Sequence, residues 1–195
     1  MTAVPPYDLN RYRWVRIHEC GHALSTVPLG MYPPHEIRAS PHGGVVKTWP
    51  INRRAKERMT QEQVNEYYWN EAVNYLAGDA AAREFDAPHG TAGSQADRDA
   101  ARACLASMRP PGTFAAAKRR AEEIAHEYRG AILALCDELA RNNDLLQGEE
   151  VIKAALSAAV AAGRQPPRQI PGVSRAEFLA LLRGDDDVDM PDSVR

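Results

Sequence analysis

Between Leu9 and about Val27, the residues Tyr12, Val15, Ile17, Cys20, Ala23 and Leu24 recur at near-helical spacing, and Pro28 and Gly30 follow as stop signals. The pattern predicts a helix. The period then changes. In HEIRASPHGGVVKTWP, residues 35–50, two short runs with β-branched and aromatic residues flank a Pro-His-Gly-Gly turn, which predicts a strand pair and the only sheet of the chain. After a charged, loop-like NRRAKERMTQEQ, the residues Val64, Tyr68, Ala72, Tyr75 and Leu76 mark one face of a helix running to about Phe85, and DAPHGTAG breaks it. A further helix is predicted from about Ser94 to Met108, ended by Pro-Pro-Gly at 110–112. Ala121, Ile124, Ala125, Tyr128, Ile132, Leu135 and Leu139 trace one long amphipathic helix, and another is expected from about Glu149 to Ala162.

These elements describe a mainly α, α+β fold with a small sheet over residues 1–162. Residues 163–195 read differently. GRQPPRQIPGV has three prolines and two glycines in eleven residues, which suppress regular structure and mark a linker. SRAEFLALLR can form a short helix with Ser174 and Glu177 as a capping box. The terminal GDDDVDMPDSVR holds five aspartates against one arginine and is expected to be disordered.

Composition narrows the classes of function. A chain of 195 residues with 44% hydrophobic content can fill the core of one ordinary domain. A formal net charge of −2 supplies no basic field for nucleic acid or an anionic membrane, so neither partner is expected. Cys20, Cys104 and Cys136 are odd in number and form no CxxC pair, which argues against a disulfide framework or a cysteine zinc site and fits a reducing cytoplasm. No apolar run approaches the roughly 20 residues of a membrane span, and the N-terminus lacks the apolar stretch of a signal peptide, so a soluble protein is expected.

The chemistry is concentrated in HECGH, residues 18–22. On an α-helix, residues four apart differ by about 40° in azimuth, so His18 and His22 project from one face and can both reach one zinc ion. Glu19 sits beside that face, where it can hold and deprotonate a water rather than bind metal. The same spacing also arises by coincidence in two surface histidines with a solvated glutamate. Ile17, Cys20, Ala23 and Leu24 argue against that, because they bury the helix where the histidines project, and buried imidazoles need partners. Gly21 is costly within a helix, and the benefit expected from it is close approach of another backbone. Cys20 points some 200° from His18 and reads as a small core residue.

A zinc hydrolase needs a third protein ligand. In GSQADRDAARACL, Asp97 lies near the start of the predicted helix between small neighbours; locally, Ser94 and Asp97 read as a capping box, with the acid favoured by the helix dipole. His35, His42, His89 and His126 read as loop or solvated histidines.

Five segments in order, RIHECGHALSTVPLG, HEIRASPHGGVVKTWP, AVNYLAGDAAAREF, GSQADRDAARA and NNDLLQGEEVIKAAL, resemble the peptidase domain of the FtsH-type AAA+ zinc metalloproteases over roughly residues 14–160. The resemblance implies a helical, zincin-like metallopeptidase fold and makes Asp97 the third zinc ligand, beside His18 and His22, with Glu19 as the catalytic base. It also implies that a substrate lies extended along an edge strand, the one that GGVVKTW resembles; read by itself, Val45 to Trp49 is equally an ordinary core-covering strand. The chain departs from the family at Cys20, where alanine is usual, and at Ala82 and Arg83, where two glutamates often stand. It has no G-x-x-x-x-G-K-[ST] phosphate loop and no membrane span, so a stand-alone, ATP-independent zinc metalloendopeptidase acting on unfolded or flexible polypeptides is expected. The competing expectations are a regulatory zinc-binding protein with a structural or covered metal, and a phage- or defence-type protease with one dedicated protein target. The oligomeric state is open.

Overall fold

The computed structural model describes residues 9–31, 33–48, 59–86, 91–161 and 163. Along the described residues run α1 (Leu9–Ser25), β1 (Glu36–Ser40), β2 (Gly43–Lys47), α2 (Gln61–Glu84), α3 (Thr91–Ala106), α4 (Phe114–Glu127), α5 (Arg129–Arg141), β3 (Leu145–Gln147) and α6 (Glu149–Ala161). The fold is mainly helical with one small antiparallel sheet of three strands in the order β2-β1-β3. The linker, short helix and acidic tail expected after residue 163, and His89, lie outside the described residues. Within them, no helix is long and apolar enough to cross a membrane.

Helix α2 is the centre of the helical layer and packs against α1, α3 and α4. Its start is set by a capping box: the Gln63 N–H donates to Thr60 Oγ1 at 3.2 Å and the Thr60 N–H to Gln63 Oε1 at 2.8 Å. The helix therefore begins three residues before the apolar pattern at Val64. Its buried residues are mostly small, Ala72, Ala77, Gly78, Ala80, Ala81 and Ala82 beside Val73, Asn74 and Leu76, so neighbouring helices come close. Gly21 of α1 uses that closeness. A Cβ on it would stand 2.6 Å from Ala81 Cβ and 2.7 Å from the Ala77 carbonyl oxygen, which bears out the expected backbone approach.

Three sequence expectations are corrected. The single helix over 121–139 is two, because Tyr128, at φ −101° and ψ 15°, leaves helical geometry between α4 and α5. The Tyr128 N–H still donates to the Ile124 carbonyl at 2.8 Å and the Ile132 N–H to that of Tyr128 at 2.9 Å, so the joint inserts no residue and the apolar period passes through it. The sheet has a third strand that three residues could not announce. Leu145–Gln147 pairs with β1 in the register Glu36↔Gln147, Ile37↔Leu146 and Arg38↔Leu145, and Ile37 and Leu146 are fully buried. Finally, α3 begins at Thr91, so Ser94 and Asp97 lie inside the helix and form no capping box.

Helix α1 packs against β1 and β2 and also against α2. Its flank is tied to β3 by the Arg16 guanidinium, which pairs with the Asp144 carboxylate. Asp144 and Asn143 take left-handed backbone conformations, φ 64° and 54°, that turn the chain from α5 into β3.

Candidate metal centre

Packed against α2 and the sheet, α1 is buried throughout the HECGH segment: His18, Glu19 and His22 are 4%, 6% and 8% exposed. Cys20 is wholly buried in the core that also holds Cys136 of α5 and is not in the group that could hold a metal, so it is the small core residue expected. The helical spacing brings His18 Nε2 and His22 Nε2 to 3.0 Å with the rings edge to face. Helix α3 delivers Asp97 to the same point: its Oδ2 is 3.2 Å from His18 Nε2 and 3.5 Å from His22 Nε2. Asp99 is turned away. It is bound by Arg102 at 2.8 Å and Gln95 at 2.9 Å, with its side chain 62% exposed.

The three converging atoms form a triangle of 3.0, 3.2 and 3.5 Å. Ligand atoms about 2.0–2.1 Å from a tetrahedral zinc lie about 3.3 Å from one another, and two imidazoles with one carboxylate is a known zinc donor set, so these residues fit the ion. Two ring nitrogens 3.0 Å apart can share only one proton, which leaves the cluster a lone pair to offer. His18, His22 and Asp97 are the described group that could hold a metal ion.

The surroundings fix the orientation of the rings. His22 Nδ1 donates to the Asn74 backbone carbonyl at 2.8 Å, which turns Nε2 toward the cluster. Among the described residues, buried His18 Nδ1 has no hydrogen-bond partner, and the Trp14 and His18 ring centroids are 5.3 Å apart. Gly78 of α2 faces both rings. A Cβ there would stand 2.7 Å from His18 Cε1 and 2.8 Å from His18 Nε2, and closer still to His22 Nε2. A helix-interior glycine costs about 1 kcal/mol relative to alanine, and here it keeps the space the imidazoles occupy.

Glu19 points from α1 toward the sheet. Gly44 of β2 covers it so closely that a Cβ on residue 44 would lie 2.5 Å from Glu19 Oε1. Burial raises the Glu19 carboxyl above its ordinary range, and His22 and His18 work against that rise. Burial alone would lower His22, but hydrogen bonding to Asp97 and the charges of Glu19 and Asp97 bring it up to about 9. Asp97 is the reverse: burial would raise it, and the hydrogen bonds from His18 and His22 hold it well below the usual carboxylate range.

Strand β2 forms an edge of the sheet, and Val45 is 37% exposed. The Ala39 N–H donates to Asp144 and the Gly148 N–H to the His35 carbonyl, so the odd-numbered residues of β1 face β3 and the even-numbered ones face β2. Their register partners Gly43, Val45 and Lys47 turn their backbone groups inward, and Gly44 and Val46 direct theirs to the outer edge. Among the described residues β2 is thus an edge strand whose Val46 also packs against the core, so both readings of Val45 to Trp49 stand, with Trp49 outside the described residues.

His126 and His42 stand apart from this group. His126 is a solvated residue, its side chain 79% exposed and paired with Glu84, and His42 is exposed in the β1–β2 turn. Sequence reasoning singled out neither Asn74 nor Gly44 nor Gly78. Asn74 and Gly78 did carry a signal, a polar residue and a helix-breaking residue one turn apart in an otherwise apolar helix face; Gly44 in a turn-rich Gly-Gly carried none. Compared with known proteins, the chain matches no protein-family model, and no curated protein matches it.

Proposed function

We propose that the protein is a zinc metalloendopeptidase with a zincin-like fold resembling the FtsH-type peptidase domain, hydrolysing peptide bonds of unfolded or flexible polypeptides in the cytoplasm. The observation that carries the reading is the convergence of His18, His22 and Asp97 within 3.5 Å of one another, with the buried carboxylate of Glu19 alongside. His18, His22 and Asp97 hold the zinc. When bound, zinc supplies Lewis acidity, making a water acidic near neutral pH and polarising a carbonyl.

The remaining steps belong to the chain. Glu19, its basicity raised by burial, takes a proton from the attacking water as the water oxygen bonds to the peptide carbonyl carbon. As the C–N bond breaks, Glu19 returns that proton to the departing amine, so one water is consumed per bond cut. The outward backbone groups of Gly44 and Val46 offer an extended peptide a strand to pair with. Glu19 lies against Gly44, so a peptide paired with this strand would run beside Glu19. Pairing through backbone requires an extended substrate, which favours unfolded segments and loops over folded domains.

A regulatory zinc-binding protein with a covered site is the competing reading, favoured by the 6% exposure of Glu19. Elemental analysis combined with hydrolysis of unfolded casein separates the two. We expect one zinc per chain, casein cleavage abolished by chelation, and a Glu19→Gln protein that keeps its zinc while hydrolysis falls by orders of magnitude. Stoichiometric zinc without any cleavage supports the covered site, and a zinc-free Glu19→Gln protein sinks the assignment of Glu19 as base.

A further inference from the structure

We infer that Asn74 is a positioning residue for the metal centre, holding His22 by its backbone and its ring at once. The inference rests on the metal reading of His18, His22 and Asp97.

Asn74 lies on α2 where that helix crosses α1, and it is 7% exposed. Its side-chain amide donates to the His22 backbone carbonyl at 2.7 Å and to Ser25 Oγ at 2.7 Å. The Ser25 hydroxyl donates to the same His22 carbonyl at 3.0 Å. In return, the Asn74 backbone carbonyl accepts from His22 Nδ1 at 2.8 Å. One residue of α2 thus grips both ends of His22.

The neighbouring turn completes the device. Gly78 follows Asn74 by four residues, so both face α1 from the same side of α2. The His22 ring lies along this strip, with Nδ1 bound at Asn74 and Nε2 against the space left at Gly78. Helix stability does not account for the choice. Alanine is the better helix former, it fills most of the surrounding face, and a buried amide is costly unless its hydrogen bonds are made. What the amide adds is a fixed distance between the backbone carrying His22 and the helix carrying its ring acceptor. A ligand held at both ends loses less freedom when a metal binds.

Zinc affinity measured by chelator competition on the full chain tests this, alongside the thermal midpoints of the zinc-free proteins. Asn74→Ala and the isosteric Asn74→Asp, which lacks the donating NH2, should still reach one zinc per chain at saturation but bind it roughly 10- to 100-fold more weakly than wild type. The cobalt-substituted variants should show altered visible absorption. A merely structural role predicts the opposite pattern: lower zinc-free midpoints with zinc affinity and cobalt spectrum at wild-type values, and that result overturns the inference. Should both variants fail to fold, Ser25→Ala decides. Its hydroxyl links Asn74 to His22, so zinc affinity should fall about two- to tenfold, and an unchanged affinity overturns the inference. A wild-type protein that binds no zinc overturns the metal reading and this inference with it, whereas a zinc-replete wild type with indifferent variants overturns this inference alone.

Discussion

Gly44 and Glu19 share one space. The strand carrying Gly44 lies so close to α1 that a methyl group on it would stand 2.5 Å from Glu19 Oε1 and 2.6 Å from Cδ. Gly44→Ala should therefore displace the carboxylate while leaving the zinc ligands in place. A shift of about 1 Å in a reacting group costs on the order of 100-fold in rate, so kcat should fall by about that much with zinc content unchanged. Val45→Ala, on the exposed side of the same strand, is the control expected to retain kcat. Gly44→Ala with wild-type kcat would remove Glu19 from the chemistry or β2 from its place over it.

Gly78 makes the complementary prediction. Its missing side chain leaves the volume that His18 and His22 occupy, so Gly78→Ala should push the two rings apart and empty the site. Its helix propensity improves by about 1 kcal/mol, so the zinc-free helix itself gains rather than loses. Loss of zinc without loss of helical circular dichroism is the expected pair of results; a zinc-replete Gly78→Ala protein contradicts the packing described.

Asp97 and Asp99 differ in what they meet, which tests the proposed ligand assignment. Two residues along a helix is about 200° of rotation, and only Asp97 meets the histidines. Asp97→Ala should strip zinc and activity together. Asp99→Ala removes an exposed ion pair with Arg102, worth at most about 0.5 kcal/mol, and should leave both intact. Metal analysis of the two purified variants settles which carboxylate is the ligand.

If the cluster holds zinc, proton and metal would compete for His22. In the zinc-free protein its pKa is raised from 6.5 to about 9, so its stabilising contribution is fully present below 6.5 and is lost as pH rises through about 9. Asp97, held below its ordinary 3.8, contributes above that value and loses its contribution as pH falls further. The zinc-free thermal midpoint should therefore decline between pH 6.5 and 9. Zinc binding must displace the His22 proton, so its affinity should increase over the same interval. Isothermal titration at several pH values checks this, and an affinity independent of pH across that interval counts against a protonated His22.

The sequence by itself determined the parts of this site that local geometry controls. His18, Glu19 and His22 fall within one and a half turns of a helix, where rise and rotation per residue alone bring both imidazoles to one face and leave the glutamate beside it. The mainly helical class, the β1–β2 pair and the core role of Cys20 follow from periodicity and turn chemistry in the same way. Asp97 was legible only through a resemblance, since locally it reads as a cap. Its distance from His18, 79 positions along the chain, is closed by packing and by no short-range rule. Tertiary structure alone decided the rest. Asn74 reaches His22 across 52 positions because small residues let α1 and α2 approach, and β3 exists because β1 offers three residues an edge to pair with. The break at Tyr128 is invisible to hydrophobic period, which records which face of a helix is buried and not where one residue leaves helical geometry. Gly44 lies over Glu19 for the same reason: contacts between elements depend on how buried surfaces fit together, and that fit is a property of the whole packed chain.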